Sequence, residues 1–341
     1  MSTKKILLTG GAGYIASHTA VEFIQQGYEV VLIDDFSKSD RTLLNGLEKI
    51  TNTKIRFFEG DCRDEKFLDE LFDREKITSV IHFAAYKSVN ESVREPLLYY
   101  DNNLGSITTL LKSMKKFDVH EFIFSSSCTV YGQPDVIQVD ESAPFKKAES
   151  PYGATKQMCE RVLEDVTLAN KNLKVISLRY FNPVGAHPSA LIGEVPLGVP
   201  NNLVPYVTQT AIGLRQKLTA FGSDYNTPDG SCIRDFIHVV DLAQAHVMAA
   251  EKISQMPTNN EAFNLGTGDG VTVLELVRKF IEITGVKLNF EVAPRREGDI
   301  EKVYANPAKA KKLLGWQTKL SLEESLRDAW RWEQHLAANK K

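Results

Sequence analysis

The segment SPYGATK, residues 150–156, sets a phenol and an amine four positions apart, Tyr152 and Lys156, in a stretch of helical texture. At that spacing the two side chains share one helix face. Tyrosine is a poor base until its pKa falls from about 10 toward neutrality, and nearby positive charge lowers it by favouring the phenolate. An oxidised nicotinamide ring would add a second positive charge, so the pair could serve as a general base for an alcohol. Tyrosine and lysine four apart also occur by chance in many helices. The upstream run FIFSSSCTVYG sets this pair apart, because Ser125, Ser126 or Ser127 at a strand end could hydrogen-bond the same hydroxyl.

A cofactor for such a base is suggested near the N-terminus. LLTGGAGYIASH follows a first apolar run and opens an amphipathic one, with the small residues Gly10, Gly13 and Ala16 at three-residue intervals. Glycine permits positive φ and close approach of the backbone to a pyrophosphate, whose charge then sits on the helix N-terminal amides. The same spacing also fits a merely tight connection. VVLIDD, however, ends in Asp34 at the distance a dinucleotide site needs for a carboxylate on a ribose hydroxyl, and a carboxylate there disfavours a 2′-phosphate. NAD is therefore expected over NADP; the bland reading is that Asp34 or Asp35 caps the next helix. Asp61, Lys87 and Asn102 flank further strand or helix ends on the ligand-binding edge. His18, His82 and His238 read as satisfied core histidines.

These residues need a frame. The runs KKILLTG, EVVLID, IRFFEG, SVIHFAA, EFIFSSS and KVISLRY are almost continuously apolar and alternate with amphipathic segments. That is the pattern of strands covered on both faces, and it predicts an α/β fold with a doubly wound parallel Rossmann sheet. After Phe181 the chain turns rich in Pro and Gly, which marks a smaller α/β region. The expected division is a cofactor domain over 1–181, joined by parts of 232–265, and a mainly substrate-binding domain over 182–341.

Composition bounds the partners. The 341 residues are 43% hydrophobic and 25% charged with a net charge of −3, which offers no basic field for nucleic acid or an anionic membrane. No apolar run reaches the ~20 residues of a membrane span. The N-terminus runs straight into a strand that a cleavable leader would destroy, so a cytoplasmic protein is expected. Cys62, Cys128, Cys159 and Cys232 lack the paired spacing of metal or redox motifs, so reduced structural thiols and no metal are expected.

TGGAGYIASH, SSSCTVYG, SPYGATK, RYFNPVGAHPS, PNNLVPY, RDFIHVVDLA, NLGTG and RREGD together resemble the extended short-chain dehydrogenase/reductases, specifically the UDP-glucose 4-epimerase family, over essentially the whole chain. Ala16 departs from the usual third glycine but is small enough for helix and strand to stay close. The resemblance implies that Tyr152 takes the proton of the sugar 4-hydroxyl while hydride passes from C4 to tightly held NAD, that Lys156 lowers its pKa and holds the nicotinamide ribose, and that Ser127 polarises the sugar oxygen. It further implies cofactor contacts at Gly10, Gly13, Tyr14, Ile15, Asp34, Asp61, Cys62, Phe83, Lys87, Asn102 and Phe181. Asn182, Asn202, Leu203, Thr219, Ala220 and Phe221 would meet the UDP-sugar, Arg234 and Arg296 would clamp its diphosphate, and Asp299 would take the uridine ribose.

Four residues past Asp299, where hexose-restricted members are bulky, stands Val303, so UDP-N-acetylhexosamines are implied as substrates beside UDP-glucose and UDP-galactose. A one-residue shift would place Tyr304 there instead. Helices expected around 95–116 and 151–170, the second with apolar residues Met158, Val162, Val166 and Leu168 beyond one face, suggest a homodimer built on an intersubunit helix bundle. Two alternatives stand: a nucleotide-sugar 4,6-dehydratase, whose acidic pair is here Cys128 and Thr129, and a non-catalytic dinucleotide sensor, a class that tends to lose the tyrosine and lysine.

Overall fold

Strands that are apolar throughout need helices on both faces, and the computed structural model, which describes residues 4–295 and 301–339, supplies them. The first part of the chain alternates β1 (Lys5–Thr9), α1 (Tyr14–Gln25), β2 (Glu29–Asp34), α2 (Thr42–Thr51), β3 (Arg56–Glu59), α3 (Glu65–Glu75), β4 (Ser79–His82), α4 (Val89–Arg94), α5 (Pro96–Lys116), β5 (Glu121–Ser127), β6 (Gln138–Val139), α6 (Pro151–Ala169) and β7 (Lys174–Tyr180). There follow β8 (Asn182–Val184), α7 (Leu203–Ala211), β9 (Leu218–Phe221), β10 (Ile233–Arg234), β11 (Phe236–His238), α8 (Val239–Lys252), β12 (Asn260–Leu265), β13 (Val271–Thr272), α9 (Val273–Thr284), β14 (Phe290–Ala293), β15 (Lys302–Ala305), α10 (Ala308–Leu313) and α11 (Leu322–Asn339).

Seven strands form one sheet in the order β3-β2-β1-β4-β5-β7-β12, parallel at every pairing. Successive side chains on a strand point to opposite faces. On β1, Ile6 and Leu8 join a core with Val21 and Phe23 of α1 and Leu242 of α8, while Leu7 joins Leu71, Ile107 and Leu163 of α3, α5 and α6 on the other side. The order reverses between β1 and β4, and such a switch point opens a crevice at the carboxyl ends of the strands.

The chain passes between its two regions more than once. β12 forms the edge beside β7, and α8 packs on α1. Conversely β6, from the first half, pairs with β15 in a small sheet ordered β13-β10-β15-β6. β8 pairs with β11, and β9 with β14. A separate core of Val204, Val207, Leu218, Leu276, Phe280 and Leu326 lies beneath α7, α9 and α11.

All four cysteines are free. Among the described residues no helix is long and apolar enough to cross a membrane, and no group of three or more His, Cys, Asp or Glu could hold a metal ion.

His82 pairs through Nδ1 with Thr9 Oγ1 at 2.7 Å and through Nε2 with Ser106 Oγ at 3.3 Å. His238 caps α8 by accepting from Val240 N, and its Nε2 meets Asp328 at 3.3 Å. His18 departs from the expected satisfied state: Nδ1 pairs with the Tyr14 carbonyl at 2.7 Å, but Nε2 is buried without a hydrogen-bond partner. Burial pushes His18 and His82 down to about 3 and His246 down to about 4. Unfolded histidine titrates near about 6.5, so these groups contribute full stability above that pH and lose it as pH falls toward the folded values. The buried carboxyls of Glu22, Asp34, Glu141 and Asp235 are pushed up and work in the opposite sense. Each histidine contributes at most about 1.4 kcal/mol per pH unit below about pH 6, offset in part by the raised carboxyls, so stability should fall as pH drops from neutrality toward about 5. Urea denaturation at pH 7.5, 6 and 5 should show that loss; an unfolding free energy constant over this range would sink the prediction.

Candidate active site

Tyr152 and Lys156 lie at the start of α6, which Ser150 caps by accepting from Gly153 N at 3.2 Å, with Pro151 opening the helix. The helix N-terminus stands beside the end of β5. There Ser127 is hydrogen-bonded to the Tyr152 phenol, and Ser127 Oγ also accepts from Thr129 N at 3.2 Å. Of the three candidate serines, Ser127 reaches the phenol, whereas Ser126 donates to Glu160 at 2.5 Å and Ser125 bonds Tyr180. Lys156 is buried; its Nζ donates to the Ser125 carbonyl at 2.6 Å and lies 5.9 Å from the centre of the Tyr152 ring. Burial pushes Lys156 down to about 8 and Tyr152 up to about 12, with the Ser127 bond opposing the rise. Desolvation is thus the largest influence on the phenol, and added positive charge must bring it toward neutrality.

The edge of the sheet next to this pair fits a dinucleotide. Gly10 has φ +64°, and a Cβ there would stand 2.9 Å from Ala84 N, so only glycine allows β1 to turn this close to the loop after β4. α1 then begins at Gly13 with no side chain capping its amides, which leaves that positive end to an anion. The side chains of Tyr14 and Ile15 face inward, Tyr14 donating to the Gly185 carbonyl at 2.7 Å and Ile15 packing on the core, and their backbone amides lie in the first turn of α1. Asp34 ends β2 and accepts from Ala12 N at 3.0 Å, Phe36 N at 2.9 Å and Ser39 Oγ at 2.6 Å. It ties the turn to the strand rather than capping α2, whose N-cap is Arg41.

The other residues named for the cofactor ring this edge. Asp61 is gripped by the Arg63 guanidinium at 2.7–3.2 Å, which holds its carboxyl below the usual range despite part burial. Cys62 is buried, and burial pushes its thiol far up. The Phe83 ring lies 4.8 Å from that of His246, tilted by 42°, and His246 in turn pairs with the Tyr180 hydroxyl. Asn102 donates to Asn103 at 3.1 Å, Lys87 lies 3.1 Å from Glu194, and Phe181 is buried where β7 meets β8.

The substrate candidates come from the other region. Asn182 opens β8, Asn202 precedes α7, and Leu203 is part-buried on the core beneath it. Thr219, Ala220 and Phe221 lie in β9, in register with Glu291, Val292 and Ala293; Ala220 is buried and Phe221 is 39% exposed. Arg234 in β10 stands opposite Val303 of β15 and acts electrostatically on Cys128, beside Ser127. Val303 is 5% exposed and packs with Val130, Tyr131 and Phe181, while the ring of Tyr304 lies against Gly270. The valine, not the tyrosine, thus faces the Ser127 side. Arg296 and Asp299 lie outside the described residues.

Sequence reasoning did not single out Glu194, Arg63, Tyr180 or His246. Glu194, Arg63 and His246 are lone polar residues with no motif spacing, Tyr180 stands within RYFNPVGAHPS, and only the fold reveals their partners.

The chain matches the family model described as GDP-mannose 4,6 dehydratase over residues 7–329. It is 49% identical over 328 residues to a UDP-glucose 4-epimerase of Bacillus subtilis, covering 96% of each chain. A UDP-glucose 4-epimerase from Bifidobacterium longum, solved in complex with NAD+ and UDP, superposes with a TM-score of 0.94 at 43% identity, covering 97% of this chain and 98% of that one. One from Stenotrophomonas maltophila, with bound NAD and formylated UDP-arabinopyranose, gives a TM-score of 0.95 at 43% identity, covering 98% and 99%.

Proposed function

Because the chain belongs to the UDP-glucose 4-epimerases of the extended short-chain dehydrogenase/reductase family, we propose that it interconverts UDP-glucose and UDP-galactose by transient oxidation at C4 with NAD as resident cofactor. The observation that carries the reading is the conjunction of Tyr152, Ser127 and Lys156 with the glycine cradle and Asp34 on one sheet edge. Bound NAD would supply the hydride acceptor at C4 and the positive ring charge that helps bring the phenol into range. The 2′-hydroxyl of its adenosine ribose belongs at Asp34 and its pyrophosphate at the uncapped start of α1.

Ser127 sets the sugar oxygen against Tyr152, which removes the 4-hydroxyl proton and later returns it to the same oxygen. Lys156, buried and fixed on the Ser125 carbonyl, keeps a positive charge near the phenolate once it forms. Asn182, Asn202, Thr219 to Phe221 and Arg234 are the contacts we assign to the nucleotide, with Arg296 and Asp299 of the RREGD segment completing them. In domain terms, 1–181 with α8 and β12 serves the cofactor and the remainder mainly the UDP-sugar.

The dehydratase alternative is disfavoured by the side chains after Ser127, since Cys128 and Thr129 provide no carboxyl acid or base for eliminating water. A silent sensor would have no need of the hydroxyl, phenol and ammonium gathered here. Incubation with UDP-galactose and no added NAD should yield UDP-glucose up to an equilibrium mixture; an unchanged substrate even after NAD is added would overturn the reading.

The orientation of Val303 supports acceptance of UDP-N-acetylhexosamines as well. Val303→Tyr should lower kcat/KM for UDP-N-acetylgalactosamine by at least about 100-fold and that for UDP-galactose by less than about 5-fold, since an overfilled pocket costs roughly 1–3 kcal/mol or more. Equal losses on both substrates would count against Val303 as the selecting position. A homodimer is supported by Val93 and Leu97 at 61% and 81% exposure on α4 and α5 and by Met158 and Leu168 at 45% and 61% on α6. Light scattering at the mass of two chains is the expected result. A cytoplasmic location suits the four free thiols.

A further inference from the structure

Glu194 lies in the Pro- and Gly-rich stretch between β8 and α7, and its backbone is held firmly. Gly193 bridges to Ala186 and packs flat on Trp332 of α11, where a Cβ would come within 2.4 Å of the indole. Trp332 Nε1 donates to the Glu194 carbonyl at 2.9 Å. From that anchor the side chain, 14% exposed, reaches two loops at once: its Oε1 accepts from Lys87 Nζ at 3.1 Å and from Asn202 Nδ2 at 2.7 Å.

Asn202 is the N-cap residue of α7, yet its side chain makes no capping bond. Asparagine is among the residues that most readily cap a helix, so the amide has been drawn from that role to Glu194. Lys87 follows β4 on the cofactor edge, and Asn202 opens the helix of the substrate region. One carboxylate oxygen therefore meets a cation from one side of the crevice and an amide from the other; the charge-assisted bond orients the Asn202 amide, while the Lys87 side chain is 59% exposed and contributes less.

We propose that Glu194 is a positioning residue that sets Asn202 for the uridine diphosphate and ties that setting to Lys87, so that the nucleotide and cofactor sides of the crevice are organised together. The inference rests on the functional reading above, which places the nucleotide at Asn202.

The test is calorimetric binding of UDP to the purified protein, which needs no turnover. Glu194→Ala should weaken UDP about 10-fold while kcat at saturating UDP-galactose stays within about 3-fold. Glu194→Gln, whose amide oxygen can still accept from Asn202, should bind UDP within about 2-fold of the parent. Glu194→Asp keeps the charge but falls one methylene short, and should match the alanine variant; it also serves if the alanine variant does not fold. Lys87→Met should weaken UDP about 3-fold in the parent and add nothing in Glu194→Ala. Unchanged affinity in Glu194→Ala and Glu194→Asp, equal loss in Glu194→Gln and Glu194→Ala, or fully additive loss with Lys87→Met would each overturn the inference. Failure of the unmodified protein to bind UDP would instead strike the functional reading, and the inference with it.

Discussion

Tyr152→Phe should lower kcat for UDP-galactose by about 1,000-fold, within the roughly 10²–10⁴ range of general acid–base catalysis, while the protein still copurifies with its NAD. The substitution deletes one oxygen from a ring held between α6 and the end of β5 and leaves the ring's packing in place. What it removes is the phenol hydroxyl, which is bonded to Ser127 and able to carry a proton to and from the sugar oxygen. The pH dependence gives a second check. The phenol stands at about 12 in the protein alone, so it works near neutrality only with positive charge close by. Lys156→Met withdraws one such charge and should move the alkaline-rising limb of the kcat profile to higher pH. HPLC separation of the sugars and the absorbance of released NAD report both quantities. A Tyr152→Phe protein retaining more than a tenth of the parent's kcat would remove Tyr152 as the base.

The frame of this site was legible in the sequence for a physical reason. Parallel strands buried on both faces cannot hide their composition, so β1, β2, β4, β5 and β7 stand out as apolar runs, and the predicted helices at 95–116 and 151–170 match α5 and α6 within a residue. Tyr152 and Lys156 were legible because helical spacing alone makes them neighbours. The strands β6, β8, β10 and β13 were not, since two or three residues are too few to show a period, and they gain their identity from pairing partners far along the chain. For the same reason the pairing of β6 with β15 across the two regions has no local signal. Burial pushes the Tyr152 phenol up and the Lys156 ammonium down, and sequence shows the spacing of the two groups but not their burial. Glu194 and the orphaned Nε2 of His18 depend wholly on which loops meet, a matter no local pattern encodes.

Glu160→Ala should reduce the unfolding free energy by about 3–5 kcal/mol, the cost of leaving a buried charge without its partner. Glu160 lies two turns beyond Tyr152 on α6, and both its carboxylate oxygens are taken by Arg179 of β7, at 3.0 and 2.7 Å. Ser126 of β5 donates to it as well. Arg179 also donates to the Tyr131 hydroxyl at 2.8 Å, and Tyr131 donates to Asn264 of β12 at 2.7 Å. The pair is 9% and 7% exposed, so water cannot replace a lost member. Such a pair adds little net stability over apolar side chains of similar volume, because desolvation offsets attraction. The double variant Glu160→Leu with Arg179→Met should therefore recover more than half of the loss. Its activity should not recover in step: three strands and α6 converge on this pair, and apolar replacements restore volume without restoring the directional bonds that fix the helix carrying Tyr152 against the strand carrying Ser127. Denaturation midpoints and kcat measured on the same preparations separate the two effects. If activity returned together with stability, the network would be a matter of packing alone; if the double variant were as unstable as Glu160→Ala, the cost would lie elsewhere than in the unpaired guanidinium.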